Sequence, residues 1–362
     1  KTPCRRPPRS RSKSPRRLPA KSAARKATPP SNATPLPPFN SDRFLDLCRT
    51  IHTVKSLPTD VFRAAKFSGG SYAITDSTAR FTLANGAIAT GAFGQIFKGT
   101  FGDGPATMRP CVVKVNSRGT ASGDTQELMV QVAMFCEQRK SGGGGLNAAR
   151  IPKPLFAASV MAFKKRFLGM EKLDVDLQTY LESNADGRWN RFSACMTQLC
   201  NGLMHMQKEF RFLHGDMHAK NVMVTTTPLR VYIIDFGMTS VDMFGKRHYG
   251  NTRYAGSRPN NTLDLLMLLT YLHQLHIDKE ITAFCASVVD PFFLAVKISP
   301  SHPLRDELYR HFEGHPELGP VRQRLGRSYW THHSLYENAV RVKFRGTYPH
   351  AVLRALQEWR RK

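Results

Sequence analysis

The strongest constraint on the fold is a change in the hydrophobic pattern partway along the chain. Over residues 72–115, short runs rich in Ile, Phe and Val alternate with Gly, Asn-Gly and Asp-Gly turns, which predicts an antiparallel sheet. After about Asp176 the apolar residues recur at helical spacing instead. Strands first and helices second favour an α+β fold with two lobes.

The predicted elements follow from these patterns. The strands are Ala73–Ile74, Phe81–Leu83, Ala87–Ile88, Gln95–Phe101, Cys111–Val115, Phe156–Ala162 and Arg166–Met170. The helices are Glu127–Gln138, Asp176–Leu181, Phe192–Phe210, Thr262–His276 and Ile281–Val296. We therefore expect a β-rich N-terminal lobe over residues 41–170, led by a helix from about Ser41 to Ile51. A helical C-terminal lobe over residues 171–362 would follow it.

The first 40 residues differ from the rest in composition. They contain eleven Lys or Arg, no Asp or Glu, and ten of the 23 prolines. With so few apolar groups this stretch cannot offset the entropy of ordering, so we predict a disordered basic arm over residues 1–40. Its charge suits nucleic-acid phosphates, nuclear import or both. The alternative is a solvated tail that does neither.

Cysteine usage and hydropathy bear on the compartment. The seven cysteines include no CxxC pair, which favours reduced thiols and a place in the cytoplasm or nucleus. No run of 18 apolar residues occurs, so we predict no membrane span. The formal net charge of +26 predicts affinity for polyanions.

Two short motifs carry the chemistry. The octapeptide His214–Asn221 reads HGDMHAKN, and an apolar run further on, Val231–Ile234, leads into Asp235–Gly237, which reads DFG. The order and spacing resemble the catalytic loop and the DFG segment of the protein kinase superfamily. The HGD form looks like the divergent serine/threonine kinases of large DNA viruses and the vaccinia-related kinase group, which implies work in a host cell, with association with a virion left open.

The resemblance implies a two-lobed kinase fold and transfer of a phosphoryl group from ATP with Mg²⁺. Asp216 would be the base that accepts the proton of the substrate hydroxyl. Asn221 and Asp235 would be the magnesium ligands, since this hard cation prefers oxygen. The blander alternative makes Asp216 a surface carboxylate and Asp235 a cap at the end of a strand.

A glycine-rich stretch supplies the expected nucleotide loop. Residues 88–96 read IATGAFGQI and fit the kinase phosphate loop, except that its first glycine is Ala89 and its closing valine is Ile96. Gly91 and Gly94 would let backbone N–H groups approach the phosphates. The resemblance assigns the following residues to the nucleotide: Ile88, Ala89, Thr90, Gly91, Ala92, Phe93, Gly94 and Ile96.

The next expected parts are a lysine on a strand and a glutamate on the following helix. Lys114 lies inside an apolar run, where a charge is costly unless it is paired, and it would hold the α- and β-phosphates. Glu127 is its expected partner, in preference to Glu137. The adenine would lie among Val112, Met170 as gatekeeper, the backbone of Glu171–Leu173, and Met223.

The motifs also depart from the family. Gly215 replaces an arginine that pairs with a phosphorylated activation loop, so switching by loop phosphorylation is not expected. His218 replaces a lysine, and Lys220 would supply the missing positive charge at the γ-phosphate. Asp264 would be the buried carboxylate that ties down the catalytic loop; the alternative is an ordinary acid at a helix N-terminus.

Three functions are compatible with these observations. The first is a Mg-ATP-dependent serine/threonine protein kinase with Asp216, Lys114, Glu127 and Lys220 in its catalytic centre. The second is a pseudokinase or binding module whose basic arm binds nucleic acid, and the third is a small-molecule phosphotransferase. Acidic proteins or nucleoproteins are the favoured substrates, since the end of the chain is basic. Its cations are Arg322, Arg324, Arg327, Arg341, Lys343, Arg345, Arg354, Arg360, Arg361 and Lys362.

Overall fold

The structure of the chain is a computed structural model. It describes residues 63–75, 77–91, 94–116, 127–128, 130–135, 138, 147–160, 165–183, 185–243, 246–249, 261–295 and 343–361. The predicted arm of residues 1–40 and the predicted helix from Ser41 to Ile51 lie outside the described residues.

Eight strands of the N-terminal half form one sheet. They are β1 (Arg63–Ser68), β2 (Ser71–Ile74), β3 (Arg80–Leu83), β4 (Ala89–Gly91), β5 (Gly94–Gly102), β6 (Arg109–Asn116), β7 (Pro154–Val160) and β8 (Lys165–Glu171). Their order is β3-β2-β1-β7-β8-β6-β5-β4, and a further β3–β5 pairing closes the sheet on itself. All pairs are antiparallel except β1 with β7.

Alternation along the strands separates two faces of this sheet. Val113 and Val115 are buried inside the closed sheet, where they join an aromatic cluster that includes Phe81 and Phe156. Because successive residues of a strand point to opposite faces, Lys114 leaves the sheet on its other side. This register is what delivers a charged side chain to the region between the sheet and the helices.

The remaining elements are mainly helical. Residues 127–128, 130–135 and 138 are helical and are called α1. The later helices are α2 (Leu177–Glu182), α3 (Arg188–Phe210), α4 (Leu263–Leu275), α5 (Lys279–Ala295) and α6 (Pro349–Trp359). The later strands are β9 (Val175–Asp176), β10 (Val222–Thr226), β11 (Leu229–Ile233), β12 (Ser240–Met243) and β13 (Lys246–Tyr249).

The predicted fold class is confirmed, while several element boundaries differ. Asp176 is the N-cap of α2 and not its first residue, because its carboxylate accepts the Thr179 N–H at 2.9 Å. The strand predicted at Ala87–Ile88 begins at Ala89, after a turn in which Gly86 has a φ of 83°. Neither β1 nor α6 was predicted.

Helix α4 lies at the centre of the helical region. Its residues from Leu263 to Leu272 are all buried, as expected for a helix that is apolar on every side. The chain near residue 345 covers its start: Thr262 Oγ1 donates to Phe344 O at 2.9 Å, and Thr347 Oγ1 donates to Thr262 O at 2.8 Å. None of the described helices has the length and apolar character needed to cross a membrane.

An aromatic contact joins α3, α5 and α6. Phe284 is fully buried and its ring lies 5.6 Å from the rings of Phe192 and Trp359. We expect Phe284→Ala to lower the free energy of unfolding by about 3–5 kcal/mol, because it opens a cavity at this junction. Chemical denaturation followed by circular dichroism measures the loss.

The matched control is Leu294→Ala on the same helix. Leu294 is 60% exposed, so its truncation should change the free energy of unfolding by about 0.5 kcal/mol or less. Equal losses in the two variants would contradict the packing described for α5.

Candidate active site

The backbone of the catalytic-loop motif is anchored by a buried carboxylate on α4. Asp264 is 1% exposed and accepts the N–H groups of His214 at 2.9 Å and Gly215 at 3.0 Å. Burial raises the pKa of Asp264 above its ordinary value, although His214 and the two backbone donors act in the opposite direction. The carboxylate thus fixes where the loop starts.

His214 ties the same loop to the DFG segment. Its Nε2 lies 2.9 Å from Ile234 O, and its Nδ1 lies 3.3 Å from the Asp216 backbone N–H. The tautomer with hydrogen on Nε2 satisfies both contacts, since Nδ1 then accepts. The ring is fully buried beside Phe212 and Phe236, so the loop and the DFG segment share one core.

Gly215 has a conformational reason to be glycine. Its φ is 78°, in the left-handed region that costs other residues roughly 1–2 kcal/mol. Its N–H is at the same time committed to Asp264. The presence of glycine here, where the family has arginine, is therefore explained by the local backbone geometry, which the sequence alone did not reveal.

Asn221 holds Asp216 in place. Its Nδ2 donates to the Asp216 backbone oxygen at 2.9 Å and lies 3.4 Å from Asp216 Oδ2. Asn221 is itself 7% exposed, and its backbone oxygen accepts the Ile234 N–H at 3.0 Å. The Asp216 side chain is 27% exposed, so it is oriented by the protein and still open to a substrate.

The centre of the site is an ion triad of Lys114, Glu127 and Asp235. Lys114 Nζ lies 2.7 Å from Glu127 Oε1 and 2.9 Å from Asp235 Oδ1. The Lys114 and Glu127 side chains are 6% and 7% exposed, and that of Asp235 is 36% exposed. The structure thereby brings together residues from β6, α1 and the DFG segment.

Burial and pairing act in opposite directions on these charges. Burial alone would lower the pKa of Lys114, but the charges of Glu127 and Asp235 outweigh it and raise that pKa. Burial likewise opposes ionisation of Asp235, yet Lys114 holds the pKa of Asp235 below its ordinary value. Lys114 and Asp235 therefore both carry their charges at neutral pH.

Asp235 adopts an unusual backbone conformation. Its φ is 61°, in the left-handed region, and its Oδ1 accepts the Gly237 N–H at 3.3 Å. Non-glycine residues in this region are strained and occur preferentially at functional sites. The conformation places the partly exposed carboxylate next to Lys114.

These residues fit a magnesium ion that is also held by phosphate. Asp235 supplies an ionised carboxylate, and Asn221 supplies an amide oxygen, since its amide nitrogen is used toward Asp216. Mg²⁺ binds through one or two such protein oxygens together with substrate phosphates and water. Among the described residues no group of three or more His, Cys, Asp or Glu side chains could hold a metal by itself.

The register of the sheet gathers the predicted nucleotide residues on one face. Ala89 pairs with Ile96, and Ile96 with Lys114. Val112 pairs with Met170. Val112 also lies two residues from Lys114, so Val112 and Met170 lie on the same face of the sheet as Lys114, Ile96 and Ala89. Thr90 points to the opposite face.

The tip of the predicted phosphate loop is only partly described. Gly91 and Gly94 pair with each other, whereas Ala92 and Phe93 lie outside the described residues. A Cβ on Gly94 would lie 2.5 Å from Val115 O, so this position requires glycine. Ile88 is 52% exposed beside the loop.

The predicted adenine contacts are placed as follows. Leu173 is buried, and Met223 lies on β10 between Asp176 and Tyr232. The N–H of Glu171 donates to Lys153 O at 3.0 Å, and Glu171 Oε1 accepts the Lys153 N–H at 2.7 Å. The Glu171 N–H is therefore not one of the groups that would face adenine.

The structure places His218 next to Asp216. His218 Nε2 lies 3.9 Å from Asp216 Oδ2, and the His218 ring packs 5.7 Å from that of Tyr271. Lys220 is exposed on the short turn Ala219–Asn221, and no ion pair between Lys220 and Asp216 occurs among the described residues.

Sequence reasoning missed an ion cluster formed by residues on either side of the catalytic loop and DFG segment in the chain. Asp242 Oδ1 lies 2.8 Å from Arg247 and Asp242 Oδ2 lies 3.3 Å from Arg211. Arg247 also donates to Arg211 O at 2.9 Å, and Ser240 pairs with Leu213. The hairpin β12–β13 is thus bound to the chain just before the catalytic loop, by contacts that no short motif announces.

Comparisons with known proteins agree with this geometry. Residues 83–259 match the family model described as protein tyrosine and serine/threonine kinase, a range that contains the ion triad, Asp216 and Asn221. No curated protein sequence matches the chain.

Among solved structures, that of vaccinia related kinase 3 is similar at 15% sequence identity and a TM-score of 0.32. The match covers 55% of this chain and 56% of that one, so this chain spans little more than half of its length. The family match over residues 83–259, the ion triad and the anchored catalytic loop together show that this chain has the protein kinase fold.

Proposed function

We propose that the protein is a Mg-ATP-dependent serine/threonine protein kinase. The observation that carries the proposal is the buried Lys114 ammonium held by both Glu127 and Asp235 beside the Asp216–Asn221 loop. The preference for serine and threonine over tyrosine rests on the resemblance of the motifs. Phosphoryl transfer needs little covalent help from a protein, so position and charge are what these residues have to supply.

Each group has one task in the proposed reaction. Lys114 neutralises the α- and β-phosphates, and Asp235 and Asn221 hold Mg²⁺, which when bound offsets the charge that builds on the phosphate oxygens. Asp216 accepts the proton of the attacking hydroxyl as its oxygen bonds to the γ-phosphorus. The bond from that phosphorus to the β–γ bridging oxygen breaks, and ADP leaves with the electron pair.

The two alternative functions account for fewer of the observed features of the site. A pseudokinase or binding module has no need of an oriented Asp216, yet Asn221 donates to its backbone oxygen at 2.9 Å. A small-molecule phosphotransferase for cationic ligands would favour acidic groups near the site. The two aspartates that follow Leu173 are already occupied: Asp174 accepts from Thr226, and Asp176 caps α2.

We propose acidic protein or nucleoprotein substrates. Lys220 beside the catalytic loop is exposed, as are the C-terminal cations Lys343, Arg345, Arg354 and Arg360. Such a surface attracts negatively charged partners. Residues 1–40 would add a second attachment to nucleic acid, an idea that rests on their composition alone.

We keep the predicted organisation and compartment as part of the proposal. The arm spans residues 1–40, the nucleotide-binding lobe residues 41–170 and the catalytic lobe residues 171–362. Reduced thiols fit the cytoplasm or nucleus, and burial raises the pKa of Cys111 and Cys195 to about 12, so both stay protonated.

One prediction of the proposed function concerns the base. Asp216→Asn should lower phosphate transfer from Mg-ATP to protein substrates by about 10²-fold or more, because it removes a positioned proton acceptor. Transfer is measured with radiolabelled ATP, acidic and basic substrate proteins, and phosphoamino-acid analysis. The control is Asp186→Asn, an exposed aspartate before α3. Equal rates in wild type and Asp216→Asn would contradict the role of Asp216 as the catalytic base.

Another prediction concerns the ion triad. Lys114→Met should destabilise the fold by about 3–5 kcal/mol at pH 7, since it leaves two carboxylates without their cation. Asp235 has a lowered pKa, so its contribution is present above the ordinary value of about 3.9 and is lost as pH falls through the folded value. The difference between variant and wild type should therefore shrink below about pH 4.

Urea unfolding at a series of pH values tests this. Lys98→Met is the control, because Lys98 is exposed on the neighbouring strand β5. A loss for Lys114→Met that stays constant down to pH 3, about one unit below the ordinary carboxyl pKa, would contradict the role given to the carboxylates.

A further inference from the structure

The segment of residues 147–152, here called the linking segment, lies between α1 and β7 and is bound from two sides. Ala149 is fully buried and Ile151 is 2% exposed. A buried irregular segment has to satisfy its backbone polar groups through specific partners. Those partners link helix α1, which carries Glu127, to β11, which leads to Asp235.

On one side the partners are two glutamines of α1. Gln138 Nε2 donates to Ala149 O at 2.7 Å, and Gln138 Oε1 accepts the Ile151 N–H at 2.9 Å. Gln131 Nε2 donates to Pro152 O at 3.3 Å. Both glutamines are buried, so these bonds are sheltered from water.

On the other side the partners belong to α3 and β11. The Ala149 N–H donates to Gln198 O at 2.6 Å, and a Cβ on Gly202 would lie 2.8 Å from Ala149 Cβ. The Arg150 N–H donates to Val231 O at 2.8 Å, and Arg150 O accepts an N–H of β11 at 2.9 Å. The linking segment is thereby an added strand partner of β11.

These contacts form a closed cycle of contacts, here called the ring, that runs from α1 through the linking segment and β11 back to α1 through the ion triad. Helix α1 carries Glu127 and also Gln138, which binds the linking segment. The linking segment pairs with β11, which runs directly into Asp235. Lys114 then joins Asp235 back to Glu127.

We propose that Gln138 is a positioning residue for phosphoryl transfer, whose amide fixes α1 on the linking segment and so holds Glu127 against Lys114. The role rests on the proposed kinase function. An amide is required, because one side chain has to donate to a carbonyl and accept from an N–H. A glutamate would set an oxygen against Ala149 O, and an aliphatic side chain would leave two buried backbone groups unpaired.

The test begins with Gln138→Leu. The variant should lower kcat for transfer from Mg-ATP about tenfold, since small displacements of a positioned group have large kinetic effects. The matched control is Gln207→Leu on α3, which removes a buried amide outside the ring. Circular dichroism establishes that both variants fold, and an unchanged kcat in folded Gln138→Leu overturns the proposal.

A double-mutant cycle with Glu127→Gln separates positioning from general weakening. If Gln138 acts through Glu127, Gln138→Leu should lower kcat less than twofold in the Glu127→Gln background. A merely structural role would lower kcat by the same factor in both backgrounds. Additive effects would thus overturn the proposal.

Hydrogen exchange provides a readout that needs no activity. Gln138→Leu should speed exchange at least tenfold at the amides of Arg150 and Ile233, neither of which bonds to Gln138 directly, and Gln207→Leu should not. If the wild type transfers no phosphate, the proposed function fails. The exchange measurement still tests whether Gln138 holds the linking segment against β11. Unchanged exchange at both amides would refute the ring.

Discussion

Everything at the candidate site depends on burying one ammonium group. Lys114 Nζ is almost entirely shielded from water, and an unpaired charge in such a place would give up its proton. The carboxylates of Glu127 and Asp235 keep it charged. The register of β6, the position of α1 and the left-handed backbone of Asp235 together bring the three charged groups into contact.

A second buried acidic group organises the catalytic loop by a different route. Asp264 has no cationic side chain bonded to it in the described part of the chain and is satisfied by the N–H groups of His214 and Gly215. This arrangement requires the loop to turn at Gly215. Asp216 and Asn221 then follow on a backbone that is already fixed, so the site is oriented before any substrate arrives.

The sequence could predict what depends on local pattern and on recognisable motifs. The α+β order follows from alternation and helical spacing. The need to pair Lys114 follows from the cost of burying a charge, and the choice of Glu127 as its partner came from the resemblance to kinases. The Asp242 cluster, the amide contacts of Gln138 and the pairing of β1 could not be predicted, because they depend on tertiary packing that no short motif indicates. The reason for Gly215 also needed the backbone angle.

The most direct test of the account is phosphate transfer by the wild-type chain with its magnesium dependence. Incubation with ATP and acidic proteins, followed by mass spectrometry of the substrates, should show new phosphoserine and phosphothreonine that disappear when Mg²⁺ is chelated. ATP binding without any transfer would contradict the claim that the Lys114 triad and the Asp216 loop form a working catalytic centre.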